Sequence, residues 1–238
     1  MRVDGRANDE MRKVKATLGF SKFAEGSCLI EVGDTMVLCN ASVEERVPSH
    51  VSSGGWVTAE YSMLPRANRE RSKRDVTKLK LSPRSAEIQR LIGRSLRSAI
   101  DLELLGERTI TVDCDVLQGD GGTRTASVTG GFIAMTLACR KLMEQGLISH
   151  MPVRTYISGI SAGIVRNEAM LDLCYEEDSR AMVDLNCIMT AEGDLIELQA
   201  TGEGRPFSVE EERKLLALCR KGNAVLAQMQ RRCLGGLE

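Results

Sequence analysis

The chain has 238 residues, 42% of them hydrophobic, enough for the core of one large domain or two packed halves, which excludes a disordered chain. A formal net charge of −1 gives no global attraction to polyanions, so any nucleic-acid surface must be local, and 3% aromatic content argues against a base-stacking reader. No apolar run approaches the ~18 residues that cross a bilayer, and the opening MRVDGRANDEMRKVK is charged throughout, so the expectation is a soluble cytoplasmic protein with no membrane partner.

In chain order, residues 28–43 read as two strands around a Gly-Asp turn. The loop PRANRERSKRDVTKLK (65–80) then gathers Arg66, Arg69, Arg71, Lys73, Arg74, Lys78 and Lys80 against Glu70 and Asp75. SPRSAEIQRLIGRSLRSAIDL places Ile88, Leu91, Ile92, Leu96 and Ile100 on one helical face, with Ser82 as N-cap and Pro83 at the first helical position. In ERTITVDCDVL, Thr109, Thr111, Asp113 and Asp115 alternate with Ile110, Val112, Cys114 and Val116, the period of a strand. TASVTGGFIAMTLACRKLMEQGL predicts a helix ending at Gly146. In LDLCYEEDSRAMVDLNCIM two strand-like runs flank an acidic connection, with Asp178 in the turn and Asp184 entering the second run, placed to converge across a hairpin. Residues 187–201 repeat the pattern of the first strand pair about 160 positions later: Gly-Asp, an apolar strand, Ala-Ser or Ala-Thr, and then Glu44 or Glu203. The echo predicts two similar α/β halves. Residues 208–232 read as a capped helix with a break near Gly222. The 8 cysteines never form C-x-x-C and mostly sit in apolar runs, as reduced core residues do.

Four stretches bear on chemistry. LQGDGGTRTASVTGG runs from a strand through glycines into a helix, so Gly121, Gly122, Thr123 and Arg124 stand at the positive end of a helix dipole. They suit an oxyanion; the competing reading is a tight turn with Arg124 in solvent. Arg84 lies in a first helical turn, where a cation is unfavourable unless an anion is near. Arg84, Glu87, Arg90, Arg94 and Arg97 form a polar stripe that is otherwise an ordinary solvated face. The basic loop calls for a local polyanion bound through phosphates, against a plain solvated loop. Asp178 and Asp184 suit a divalent cation or a proton donor, although acidic turns commonly just face solvent. His50 and His150 are isolated, and Ser127 sits in no nucleophile elbow.

RVDGR, CNASVEERVP, GGWVTAEYSMLPRA, EIQRLIGRSLR, LGERTITVDCDVLQGDGGTRTASVTGGF, LDLCYEEDSRAMVDLN and ELQATGEG together resemble bacterial ribonuclease PH over essentially the whole length. The resemblance implies a single ribonuclease PH-type domain over residues 1–238, of α/β (α+β) class, with two related βαβα-type halves. It implies a phosphate-dependent 3′→5′ exoribonuclease that trims tRNA precursors with 3′ extensions and other RNAs, reversibly releasing nucleoside diphosphates, and a homo-hexamer built as a trimer of dimers. Carried over by motif, Arg84, Gly122, Thr123 and Arg124 would bind inorganic phosphate as co-substrate. Asp178 and Asp184 would be the catalytic and metal-binding pair, with magnesium as the cation. Arg66, Arg69, Arg71 and Arg74 would contact RNA, with Arg90 and Arg94 extending that surface. The chain departs from the family pattern in three places: Ser-Pro where Ser-Gly commonly precedes the arginine, a short and weakly basic VPSHVSSGGW, and Gly119 in place of a frequent alanine.

Overall fold

The structure, a computed structural model, describes residues 2–74, 77 and 80–237. Asp75 and Lys78 of the basic loop lie outside the described residues. Strands β1 (Val14–Leu18), β2 (Gly26–Val32), β3 (Thr35–Glu44), β4 (Trp56–Met63) and β5 (Thr109–Gln118) form one sheet in the order β1-β2-β3-β5-β4. A second sheet contains β6 (Ile157–Val165), β7 (Glu168–Leu171), β8 (Val183–Thr190) and β9 (Leu195–Gly202) in the order β7-β6-β8-β9. The helices are α1 (Pro83–Ser98), α2 (Leu102–Leu105), α3 (Thr123–Glu144), α4 (Tyr175–Asp178) and α5 (Val209–Leu234). None among the described residues is long and apolar enough to cross a membrane.

The Gly-Asp echo corresponds to two hairpins, β2-β3 and β8-β9, one in each sheet. The first half also holds a crossover: α1 joins β4 to β5, which pair in parallel, whereas every pairing in the second sheet is antiparallel. Helix α3 packs on β2 and β3 of one sheet and on β6 of the other. Buried on nearly every side as far as Cys139, it shows polar residues to solvent only in its last turns (Arg140, Lys141, Glu144), and Phe132, Ile133 and Met135 join the larger core cluster. Thr129 Oγ1 accepts from Gly159 N at 3.1 Å, tying α3 to the second sheet.

Two local expectations change. The acidic connection is not a hairpin turn, because β7 and β8 each pair with β6, which lies between them. Helix α5 runs unbroken past Gly222, where a Cβ would meet Ile160 at 2.9 Å and Leu171 at 3.0 Å. The glycine serves close packing of α5 on the sheet, and the propensity cost of about 1 kcal/mol is carried by the apolar face around it. Gly222→Val should therefore lower the thermal midpoint, with overpacking costing about 1–3 kcal/mol in denaturant titration. All eight cysteines are free, and seven are buried.

Candidate active site

One polar cleft of about 200 Å³ gathers Arg84, Gly122, Thr123, Arg124, Asp178 and Asp184, together with Ser161, Ser179, Asn186 and Glu203. A groove of about 820 Å³ between the N-terminal segment and α5 is larger, but its charged side chains are of both signs, its Lys221 is paired with Asp9 and its Arg12 with Asp172. Volume favours the groove; the convergence of arginines, helix starts and carboxylates makes the cleft the candidate site.

Two helix N-termini supply its positive side. Ser82 caps α1, accepting from Ser85 N at 3.0 Å, and Pro83 follows. The Ser-Pro departure thus leaves a regular helix start under Arg84. Helix α3 begins after Gly122 in the left-handed conformation (φ 65°) with no side-chain cap. Neither helix has an acidic residue in its first turn, whereas α5 has Glu210, Glu211 and Glu212 there and a capping box from Ser208. Cations at two helix starts with no acidic residue in the first turn, lining one cleft, suit an anion.

The glycines have separate duties. Gly121 (φ 76°) passes so close to the chain at Leu173, Cys174 and Tyr175 that a Cβ would clash with Leu173 O and stand 3.0 Å from Tyr175 N. This contact brings the turn against the chain that carries Asp178. Thr123 Oγ1 and Tyr61 Oη share a 2.8 Å hydrogen bond; with Tyr61 donating, the Thr123 proton is free for an anion. Arg124 donates to Gln199 Oε1 at 2.6 Å and lies 3.6 Å from Glu87 Oε1, while Gln199 donates to the same Glu87 oxygen at 3.1 Å. Glu87 of the polar stripe thereby orients Arg124.

Asp178 ends α4 and Asp184 follows the first residue of β8, so different elements bring them to the cleft. Burial pushes the Asp178 carboxyl up, and Glu203 adds repulsion that Arg84, Arg124 and Arg12 oppose. Burial and the charge of Asp178 push Asp184 up to about 6, against the pull of Arg124 and a 2.9 Å hydrogen bond from Asn186. A carboxyl poised there is largely ionised at neutral pH yet lies close enough to it to take up and give back a proton.

Sequence reasoning missed the frame behind these groups. Arg12, 7% exposed, donates to Asp172 through Nε and Nη2 at 3.0 and 2.7 Å and to Asp120 O through Nη1. Arg2 forks onto Glu177 at 2.8 and 2.6 Å. The RVDGR segment and Arg12 thus brace the α4 segment, and Arg12 also ties the glycine turn to it. One local sign would be visible only in structure: Asp172 adopts φ 51°, a strained angle for aspartate.

The basic loop lies beside the cleft. Gly119 N donates to Ala67 O at 2.8 Å, pinning the base of the loop to the start of the glycine turn. Arg66, Arg69, Arg71 and Arg74 are exposed, with Arg69 6.0 Å from the Tyr175 ring. In the α1 stripe, Arg90 is exposed and Arg94 forks onto Glu197. Arg97 turns inward to Val57 O and stacks over Trp56 at 4.3 Å, away from a ligand-binding role. Neutralising Arg66, Arg69, Arg71 and Arg74 together should weaken RNA binding similarly for all sequences and reduce the log–log salt slope by about 3. Phosphate affinity should be unchanged; filter binding across a salt series checks both.

Comparison with solved structures places the fold. A rice Rrp46 chain superposes with TM-score 0.80 at 17% identity, covering 98% of this chain and 100% of its own. A chain of the Archaeoglobus fulgidus exosome with RNA bound to the active site gives 0.81 at 23% identity, covering 98% and 92%. An archaeal exosome core chain gives 0.75 at 22%, covering 97% and 90%. The sequence itself matches the model of the 3′ exoribonuclease family, domain 1, over residues 10–141 and that of domain 2 over residues 155–222. The first match contains the basic loop, Arg84 and the glycine turn, and the second contains Asp178 and Asp184, so both walls of the cleft fall within matched sequence and the chain belongs to the 3′ exoribonuclease family.

Proposed function

We propose that the chain is a phosphorolytic 3′→5′ exoribonuclease of the bacterial ribonuclease PH type, trimming tRNA precursors and other RNAs as a homo-hexamer assembled from dimers. The observation that supports it is the facing of an anion cradle and a carboxylate pair in one cleft. Hydrolysis needs the carboxylates but no second anion site. The archaeal structure with RNA at its active site supports RNA as the polymer held here.

In the reaction, an oxygen of inorganic phosphate attacks the phosphorus of the terminal phosphodiester. The bond to the 3′-oxygen of the preceding nucleotide breaks, and the product is a nucleoside diphosphate. Arg84, the N–H groups at Gly122 and Thr123, and Arg124 hold the nucleophile and offset its repulsion from the RNA phosphate. Thr123 orients it through its hydroxyl. The carboxylate pair carries the proton that the leaving 3′-oxygen takes, since two neighbouring carboxyls do not both ionise freely. Asp178 and Asp184 also fit a magnesium ion, a hard cation held through one or two carboxylates and substrate phosphate, although no group of three or more such side chains gathers among the described residues. When bound, it would neutralise charge on the scissile phosphate.

The reverse reaction tests the proposal. Purified protein supplied with nucleoside diphosphates and an RNA primer should lengthen the primer at its 3′ end and release phosphate. A protein that binds the primer and never extends it is instead a non-catalytic RNA-binding ring subunit.

A further inference from the structure

Ser161 lies in the middle of β6, opposite Asn186 of β8 in the antiparallel register. It is 5% exposed and lines the cleft, and its buried Oγ has no hydrogen-bond partner among the described residues. Neighbouring buried hydroxyls are all engaged: Ser127 donates to Thr123 O at 2.8 Å, Thr129 to Thr125 O at 3.1 Å, and Ser158 to Asn223 at 2.5 Å. Asn186, the cross-strand neighbour, spends its amide on Asp184 at 2.9 Å and leaves Ser161 aside. A buried hydroxyl without a partner is unfavourable, and small apolar residues would fit a strand centre equally well.

Its position says what the hydroxyl faces. A Cβ built on Gly122 would stand 3.9 Å from Ser161 Oγ, 3.2 Å from Thr125 Oγ1 and 3.3 Å from Arg12 Nη2. Ser161 is therefore on the cradle side of the cleft, next to the residue that opens the helix start. We propose that Ser161 is a further anion ligand, donating its hydroxyl proton to an oxygen of the phosphate held by Gly122, Thr123 and Arg124. This rests on the phosphorolytic reading and adds a donor from the second half of the chain to a cradle otherwise built from the first. The phosphate site is then complete only when the two sheets are correctly packed about α3.

The test uses inorganic phosphate as the probe on the full chain, by calorimetry and by thermal midpoint, with Ser161→Ala and the near-isosteric Ser161→Cys. In Ser161→Ala the midpoint without phosphate should be equal to or above wild type, because an unpaired buried hydroxyl has been removed. Phosphate affinity should fall about tenfold, as expected for a lost hydrogen bond to a charged group. In turnover, KM for phosphate should rise by the same factor with kcat at saturating phosphate and RNA affinity nearly unchanged. Ser161→Cys, a weaker donor, should fall between the two. Equal phosphate affinity in wild type and folded Ser161→Ala would overturn this assignment alone. Wild-type protein that binds no phosphate would overturn the phosphorolytic reading and this assignment with it.

Discussion

Asp184→Asn should lower turnover by about 10²–10⁴-fold, the range for losing a positioned acid or base, while RNA binding survives. Asparagine keeps the size of the side chain and a partner for Asn186 but carries neither the charge nor the transferable proton. The same change should stabilise the folded chain at neutral pH. In the fold, the Asp184 carboxyl is pushed from 3.8 up to about 6, so the native state binds this proton more tightly than the unfolded chain. The penalty is absent below pH ~4, grows as pH rises towards 6, and is complete above it. Two pKa units correspond to about 3 kcal/mol, an upper bound for a partly solvated group, so a gain of about 1–3 kcal/mol is expected at pH 7.5. At pH 4 wild type and variant should unfold at the same denaturant concentration. A gain in stability coupled to loss of turnover marks a functional carboxylate; near-normal turnover would leave Asp178 and Asp184 with a structural role only.

Arg124→Ala should cost about 2–4 kcal/mol of transition-state stabilisation, read from kcat/KM for phosphate, with RNA affinity nearly unchanged. Its guanidinium is held by Gln199 at 2.6 Å and by Glu87, so the charge is already aimed before phosphate arrives. Arg124→Lys should recover only part of the loss, because an ammonium reaches the site as a point charge and cannot make the planar fork. Removing Arg124 also removes a pull on both carboxyls, so Asp184 should titrate still higher than about 6 in the variant. Glu87→Gln is a milder companion: the hydrogen bond from Gln199 is kept, and the phosphate KM should change less than in Arg124→Ala.

Much of this cleft is legible in the chain because its parts are local. Ser82-Pro83, the alternating ERTITVDCDVL and the glycine turn each obey short-range rules of capping, pleat and helix dipole. Arg84 and Arg124 stand out because both sit where a helix start disfavours a cation. What escapes the sequence is what the sheet order creates. β6 inserts between β7 and β8, which dissolves the expected hairpin and places Ser161 beside Asn186, 25 residues away in sequence. Gln199 and Arg12 enter across longer separations, 75 residues from Arg124 and 160 from Asp172, with nothing in their neighbours to announce it. The break expected at Gly222 failed because a local preference was outweighed by packing against Ile160 and Leu171.

The central claim is that inorganic phosphate is the nucleophile, and it can be followed atom by atom. Incubating the protein and RNA with radiolabelled inorganic phosphate should place the label in the β-phosphate of released nucleoside diphosphates, with no shortening of RNA when phosphate is withheld. Unlabelled nucleoside monophosphates released at the same rate without phosphate, and unaffected by Arg124→Ala, would contradict it.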